Sequence, residues 1–281
     1  MTLLVTPSGQ ACGARVEGVD LSGELTADII REIRAAWVKH RVLAFPGQTA
    51  MDDDALERFT VAMGGFGEDP FFDPIEGRKN IAAILREADE TSPLFAENWH
   101  TDWSFLPEPP SGTCLLSVDI PPTGGDTLFA NQIAAFAALP APRKDELRQL
   151  TAIHSARAAY APDGFYGDGD EGRSMAIRPS ADALATHAHP LIRSHPETGE
   201  EAIYSCAGYI VGIEGMSDAD ALAILVELYA WQSKDEFIYR HQWEPDMLVM
   251  WDNRSVLHKA TGGYENHRRE LHRTTIAAWQ S

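Results

Sequence analysis

The chain has 281 residues, 44% of them hydrophobic, enough for one domain with a buried core. Its 23 lysines and arginines face 42 aspartates and glutamates, and the net charge of −19 makes nucleic acid and anionic membrane surfaces poor partners. Cys12, Cys114 and Cys206 are too scattered for a zinc, redox or disulfide motif, which fits a reducing cytoplasm, and no apolar run reads as a signal peptide or membrane span.

From Thr26 to His40, Ile29, Ile30, Ile33, Trp37 and Val38 recur at helical spacing behind Thr26 as N-cap. Arg41 to Phe45 reads as a buried strand stopped by Pro46-Gly47. A second helix runs from Asp53 to Met63, with Leu56, Phe59 and Met63 on one face and Gly64-Gly65 at its end. Residues 65–80 show no periodicity and form a loop, in which Phe71 and Phe72 are either core plugs or a pocket wall. Ile81 to Leu85 is a short strand. Further strands are predicted at Thr113 to Ile120, Thr127 to Ala130 and Thr151 to Ser155, with helices at Gln132 to Ala138 and Ala141 to Leu150. The stretch 160–174, rich in glycine and aspartate, is expected to be a mobile loop. Its Asp168-x-Asp170-x-Gly172 lacks the positions that a calcium loop needs.

Pro190 to Arg193 and Ala202 to Cys206 flank His195-Pro196-Glu197-Thr198-Gly199, a hairpin turn. Ser217 caps a helix to Gln232, and Phe237 to Trp243 and Met247 to Trp251 are strands. Short strands with helices set around them point to an α+β fold with a mainly β core. The expected architecture is a double-stranded β-helix, or jelly roll, with peripheral helices, in one domain covering 1–281.

Chemistry gathers in Asn98-Trp99-His100-Thr101-Asp102, where an imidazole and a carboxylate stand two residues apart and point the same way in an extended segment. An oxygen-activating ferrous site takes two histidines and a carboxylate on one face and keeps three positions open. The third ligand is sought near Trp251-Asp252-Asn253-Arg254-Ser255-Val256-Leu257-His258, whose Trp251 to Asn253 turn supports His258 rather than ligating. His187-Ala188-His189 is a rival pair without a carboxylate companion. In the strand Arg268 to Ile276, Arg269, Leu271 and Arg273 share a face, and two guanidiniums in so acidic a chain ask for an anion such as a dicarboxylate.

These motifs, with Gly124-Gly125-Asp126-Thr127, Phe45-Pro46-Gly47-Gln48 and Gly18-Val19-Asp20-Leu21, resemble the taurine dioxygenase and 2,4-dichlorophenoxyacetate dioxygenase family of iron(II)- and 2-oxoglutarate-dependent enzymes. The resemblance implies that His100, Asp102 and His258 bind Fe(II), and that Thr127 and Arg269 hold the distal carboxylate of 2-oxoglutarate, with Trp243 in the same region. It implies an O2-dependent hydroxylation that releases succinate and CO2, and a homo-oligomer, dimer or tetramer, by family analogy. Arg273 is the family position for an anionic substrate group, so a small organic acid is expected: a sulfonate, a sulfate ester or an aryloxyalkanoate. Asn98, Trp103, Phe71 and Phe72 are the other candidate substrate contacts.

The chain departs from taurine-using members. It has no His or Tyr between His40 and His100, and Ala96 stands at an asparagine position, so taurine is expected to be a poor substrate. Two other readings use the same residues: a zinc hydrolase, which leaves Thr127 and the arginines unexplained, and a jelly-roll binding or sensor protein without chemistry.

Overall fold

The structure, a computed structural model, describes residues 3–278. In chain order it contains β1 (Leu4–Pro7), β2 (Ala14–Glu17), α1 (Ala27–His40), β3 (Val42–Phe45), α2 (Asp53–Met63), β4 (Ala82–Arg86), β5 (Gly112–Asp119) and β6 (Thr127–Asn131). There follow α3 (Gln132–Ala137), α4 (Ala141–Leu147), β7 (Thr151–Ser155), α5 (Arg157–Tyr160), β8 (Thr186–Pro190), β9 (Ile192–Ser194), β10 (Glu201–Ile203) and β11 (Ile210–Ile213). The chain closes with α6 (Asp218–Gln232), β12 (Ile238–His241), β13 (Leu248–Asp252), β14 (Val256–Ala260) and β15 (Arg269–Ile276).

The caps form as their residue types require. The Thr26 hydroxyl accepts from the Ile29 amide at 3.3 Å, and Ser217 caps α6 through the Asp220 amide. Arg41 ends α1 with φ 68°, so the chain turns sharply into β3.

The largest sheet has the order β1-β2-β3-β13-β5-β15-β4, antiparallel except where β2 meets β3. Opposite it lies the sheet β12-β6-β14, and two smaller sheets, β11-β7-β8 and β10-β9, complete the β structure among the described residues. The two facing sheets share one core: Phe129, Tyr239 and Val256 pack with Val42, Ala44, Leu115, Val249, Trp251 and Leu271. On the outer face of the large sheet, Ile29, Ile33 and Trp37 of α1 and Leu56, Phe59 and Met63 of α2 cover Leu43, Phe45, Leu116 and Met250. The central strands are thus buried on both faces, which is why β3 and β13 read as unbroken apolar runs rather than alternating ones.

β1, β2, β8, β11 and β14 lie outside the strands expected from the sequence. They are four or five residues long, and β8 (Thr-His-Ala-His-Pro) has neither the β-branched content nor the apolar alternation that marks a strand. The expected strand Phe237 to Trp243 is shorter, Ile238–His241, because a 3-10 turn takes Asp235–Phe237. The stretch 160–174 is a succession of tight turns, tied down by Phe165 N to Ala158 O (2.9 Å), Tyr166 N to Ala159 O (2.8 Å) and Asp168 N to Pro162 O (2.9 Å).

Gly112 lies where β5, β13 and the first helix meet. A Cβ there would stand 2.4 Å from the Trp37 ring and 2.7 Å from the Trp251 carbonyl oxygen. Gly112→Ala is therefore expected to destabilise the protein by about 1–3 kcal/mol through overpacking. Thermal unfolding reads this directly, and an unchanged midpoint would show that α1 can retreat at no cost.

Candidate active site

Two backbone hydrogen bonds fix the centre of the site. His100 and His258 form an isolated antiparallel bridge, with each amide donating to the other's carbonyl at 3.0 and 2.7 Å, and the rings lie 4.2 Å apart. Asp102, two residues on, brings its Oδ1 to 3.8 Å from His100 Nε2 and 3.7 Å from His258 Nε2. The ligand atoms of all three lie within 4.8 Å of one another, the single such cluster of His, Cys, Asp or Glu among the described residues. The intervening Thr101 points away and donates to the Asn253 carbonyl at 2.7 Å.

The neighbours hold these side chains in the form a metal needs. His100 Nδ1 is 2.8 Å from the Asn98 carbonyl, so the proton belongs on Nδ1 and the Nε2 lone pair faces the site. Asp102 Oδ2 accepts from Thr113 Oγ1 at 2.5 Å, Asn253 Nδ2 donates to that hydroxyl at 3.0 Å, and Trp251 Nε1 fixes Asn253 Oδ1 at 2.9 Å. With Oδ2 engaged, Oδ1 is left for a cation. Burial lowers the pKa of His100 and takes His258 down to about 3. Burial alone would raise Asp102, but Arg273 and the two imidazoles outweigh it and hold the carboxyl well below the usual carboxylate range. Two neutral imidazoles and an ionised carboxylate aimed at one point suit a divalent metal, so the donor set fits iron(II).

Behind this turn, Asp252 accepts from His195 Nε2 at 2.8 Å and from Arg254 at 2.9 and 2.7 Å, and Arg254 also donates to Glu197 at 2.7 Å. The hairpin motif from His195 to Gly199 and the Trp251-Asp252-Asn253-Arg254 motif are therefore two halves of one buried polar lock that sets the entry to β14.

β15 sends Arg269, Leu271 and Arg273 into the same cleft that the triad faces. Arg269 is 6% exposed and donates from Nη2 to the Gly125 carbonyl at 3.2 Å, while its buried Nε has no partner. No carboxylate lies within 4 Å of it among the described residues, and burial lowers its pKa. The rings of Trp243 and Tyr264 stand 5.8 and 5.9 Å from its guanidinium. Thr127 also lines the cleft, and its oxygen accepts from Trp243 Nε1 at 3.0 Å, which leaves the hydroxyl proton to donate. Gly124 and Gly125 make this approach: their φ values are 72° and 68°, and a Cβ would meet the Gly263 carbonyl at 2.2 Å or Arg269 Nε at 3.0 Å. A buried cation with an unused donor and a free hydroxyl on the wall of one cleft could together hold a carboxylate.

The remaining sequence candidates divide. Trp103 and Phe72 line the cleft, whereas Phe71 lies behind them, stacked on Tyr160 at 4.8 Å. Asn98 is exposed and borders a neighbouring hollow; its contribution to the site is the carbonyl that holds His100. Trp243 supports Thr127 from outside the cleft. Arg273 lines the cleft already paired, with Nη1 bonded to Asp69 and Nη2 3.4 Å from Asp102. His187 and His189 lie on β8 with no carboxylate between them, His189 Nε2 sitting 2.9 Å from the Leu106 carbonyl. Phe95, Tyr160, Met175 and Tyr209 also line the cleft, and Asp69 pairs with Arg273; none of the five is legible in the sequence, since all of them sit in segments without periodicity.

Residues 4–275 match the family described as taurine catabolism dioxygenase TauD, TfdA family. The chain belongs to this family. It is 32% identical over 278 residues to the alpha-ketoglutarate-dependent sulfate ester dioxygenase of Pseudomonas putida, covering 99% of this chain and 90% of that protein. It is also 32% identical over 289 residues to the alpha-ketoglutarate-dependent 2,4-dichlorophenoxyacetate dioxygenase of Cupriavidus pinatubonensis, covering 98% of each. Among solved structures, a taurine dioxygenase from Burkholderia xenovorans superposes with a TM-score of 0.81 at 27% identity over 99% of this chain and 92% of that one. AAD-2 in complex with Mn(II) and N-oxalylglycine gives 0.77 at 28% over 100% and 99%. As a member of the TauD/TfdA dioxygenases, the protein is an oxidoreductase.

Two expectations follow from this geometry. Thr113→Val removes the hydroxyl that donates to Asp102 Oδ2, and Asn253→Ala removes the amide that holds that hydroxyl in place, so Thr113→Val should weaken Fe(II) binding about tenfold or more and Asn253→Ala less; equal affinity of both variants and wild type in an anaerobic metal titration would show that Asp102 needs no such support. Acid should also destabilise the metal-free protein. Burial takes His154, His241 and His258 from an ordinary 6.5 to about 3, so between those values the unfolded chain binds protons that the folded chain refuses. Unfolding midpoints should fall as pH drops below 6.5, and a level profile down to pH 4 would contradict this.

Proposed function

We propose that this protein binds Fe(II) through His100, Asp102 and His258 and 2-oxoglutarate through Arg269 and Thr127, and hydroxylates a small organic substrate, releasing succinate and CO2. The observation that carries the reading is Arg269: a guanidinium 6% exposed, without a carboxylate, in the same cleft as a three-ligand metal set. A dicarboxylate supplies what each end lacks. One carboxylate meets Arg269 and the Thr127 hydroxyl, and the other end reaches the metal positions that the three protein ligands leave open.

Iron with 2-oxoglutarate and dioxygen supplies the oxidising chemistry when bound. The residues of this chain do the rest. His100, Asp102 and His258 offer three donors on one side, so the opposite side faces the cleft. Leu115, Leu271 and Ile84 line the passage between the triad and Arg269 and keep it apolar. Phe72, Phe95, Trp103, Tyr160 and Tyr209 give the wall a large aromatic part, beside the charged Arg86, Glu90 and Arg173, and that part suits an apolar or aromatic body. The facing sheets β3-β13-β5-β15 and β12-β6-β14 are read as the two layers of a jelly roll in one domain. The cytoplasm is the compartment in keeping with three free, buried cysteines.

A zinc hydrolase would use the same triad, but nothing in hydrolysis requires Arg269 to be buried without a counterion. Relatives act on a sulfate ester and on 2,4-dichlorophenoxyacetate by their names, so sulfonates, sulfate esters and aryloxyalkanoates make up the first panel. Within it, taurine is expected to be poor.

Anaerobic addition of 2-oxoglutarate to the Fe(II)-loaded protein should produce a lilac charge-transfer band, and its absence from folded protein would overturn the reading. Arg269→Ala should raise the 2-oxoglutarate requirement about tenfold or more, because a charge-assisted hydrogen bond contributes about 1.5–3 kcal/mol. Unchanged dependence would place the distal carboxylate elsewhere.

A further inference from the structure

A second hollow lies against the cleft. Leu94, Phe95, Ala96, His100, Tyr160 and Tyr209 line both, so the two are separated by one shared wall and the His100 side chain stands at their junction. Beyond that wall the outer hollow is bounded by Trp99, Ala158, Phe165 and Tyr166, and among the described residues its one charged side chain is the exposed Glu97. Phe165 is 57% exposed and yet held in place: its amide donates to the Ala158 carbonyl at 2.9 Å, the Tyr166 amide to the Ala159 carbonyl at 2.8 Å, and its ring meets that of Tyr166 at 4.9 Å. An aromatic ring fixed in water on the wall of a hollow gains when an apolar group covers it.

The shared wall is stiff except at one place. Tyr160 is stacked on Phe71 at 4.8 Å, and Phe95 packs against Phe72 at 5.7 Å and Tyr166 at 5.1 Å. Of the six shared residues only Ala96 is small. Its backbone lies in the left-handed region, with φ 58°, where glycine or asparagine sits more easily than alanine. Both of its peptide groups are engaged there: the Ala96 amide donates to the Tyr166 hydroxyl at 3.4 Å, and its carbonyl accepts from the Ala260 amide at 2.8 Å. Strain of this kind is kept where the surroundings demand it.

We propose that Ala96 is a specificity-determining residue: its methyl group leaves a passage from the cleft to the outer hollow, which is a subsite for the apolar tail of an elongate substrate whose reacting end lies at the triad. This rests on reading the cleft as an oxygenase site. The tail continues the aromatic part of the cleft wall onto Phe165 and Tyr166, and a gap between fixed rings admits an unbranched alkyl chain more readily than a bulky group.

The test measures affinity by anaerobic calorimetry in the protein loaded with Fe(II) and 2-oxoglutarate, whose visible band is recorded first. Two pairs of probes differ by four methylenes within each pair: n-butyl and n-octyl sulfate, pentanoate and nonanoate. In at least one pair the wild type should bind the longer member about tenfold more tightly or better, since a fully buried methylene contributes about fourfold and part of this hollow stays open to water. Ala96→Asn suits the backbone but fills the passage, and it should remove most of that preference. Ala96→Gly suits the backbone and leaves the passage open, and it should keep it. Phe165→Ser changes an exposed side chain that lines the outer hollow alone, and it should reduce the preference about threefold or more; it decides the matter if Ala96→Asn does not fold. A wild type that binds long and short probes alike or binds none of them, a preference that survives in Ala96→Asn and Phe165→Ser, or one that Ala96→Gly also loses, overturns the proposal. Absence of the visible band before any probe is added would instead remove the oxygenase reading.

Discussion

A guanidinium taken out of water without an anionic partner is costly, and Arg269, with one carbonyl and no carboxylate, is held in that state by the structure around it. The turn at Gly124-Gly125 brings one carbonyl to it, Trp243 and Tyr264 wall it in, and Thr127 waits beside it with a donor to spare. Such an arrangement persists where a ligand completes it, since the same buried charge that destabilises the empty pocket strengthens binding of an anion there. The position of Arg269 on β15 fixes the rest. Two residues on, Leu271 lines the same cleft, and two further, Arg273 stands 3.4 Å from Asp102, so one strand spans the distance from Arg269 to the cluster of His100, Asp102 and His258.

The cluster of His100, Asp102 and His258 is built on a different principle: the two histidines share a backbone bridge, His100 Nδ1 meets a carbonyl, and Asp102 is held by the Thr113 hydroxyl and faces Arg273, while His258 Nδ1 has no partner. The bridge between His100 and His258 joins a loop to β14, and the chain Trp251, Asn253, Thr113, Asp102 carries orientation from the core of the large sheet to the third ligand. The polar lock of His195, Glu197, Asp252 and Arg254 sits one layer further out and positions the turn that feeds β14. Motifs that look catalytic by their composition are in this way divided between ligation and support.

Much of this was legible in the sequence because spacing carries direct geometric meaning. The i, i+2 relation of His100 and Asp102 and the alternation of Arg269, Leu271 and Arg273 are properties of extended chain, and the structure keeps both. α1 and α2 announced themselves through their apolar faces, and α1 and α6 through the caps Thr26 and Ser217. The short strands did not, because their stability comes from pairing in the sheet rather than from their own residues. The aromatic wall was hidden for a related reason: Phe95 and Tyr209 come from two loops and Tyr160 from the end of the one-turn helix α5, far apart in sequence. Asp69 was hidden as well. An isolated acid among 42 acidic residues carries no signal until the fold lays it on Arg273.

The central claim is that Arg269 exists to bind the far carboxylate of a keto diacid. Its most direct test compares 2-oxoglutarate with 2-oxobutyrate, which keeps the metal-binding keto acid and lacks the distal carboxylate, by anaerobic calorimetric titration of the metal-loaded protein. Wild type should bind 2-oxoglutarate at least about tenfold more tightly, and Arg269→Ala should abolish most of that difference. Equal affinities in the wild type, or a preference that survives in Arg269→Ala, would contradict the account.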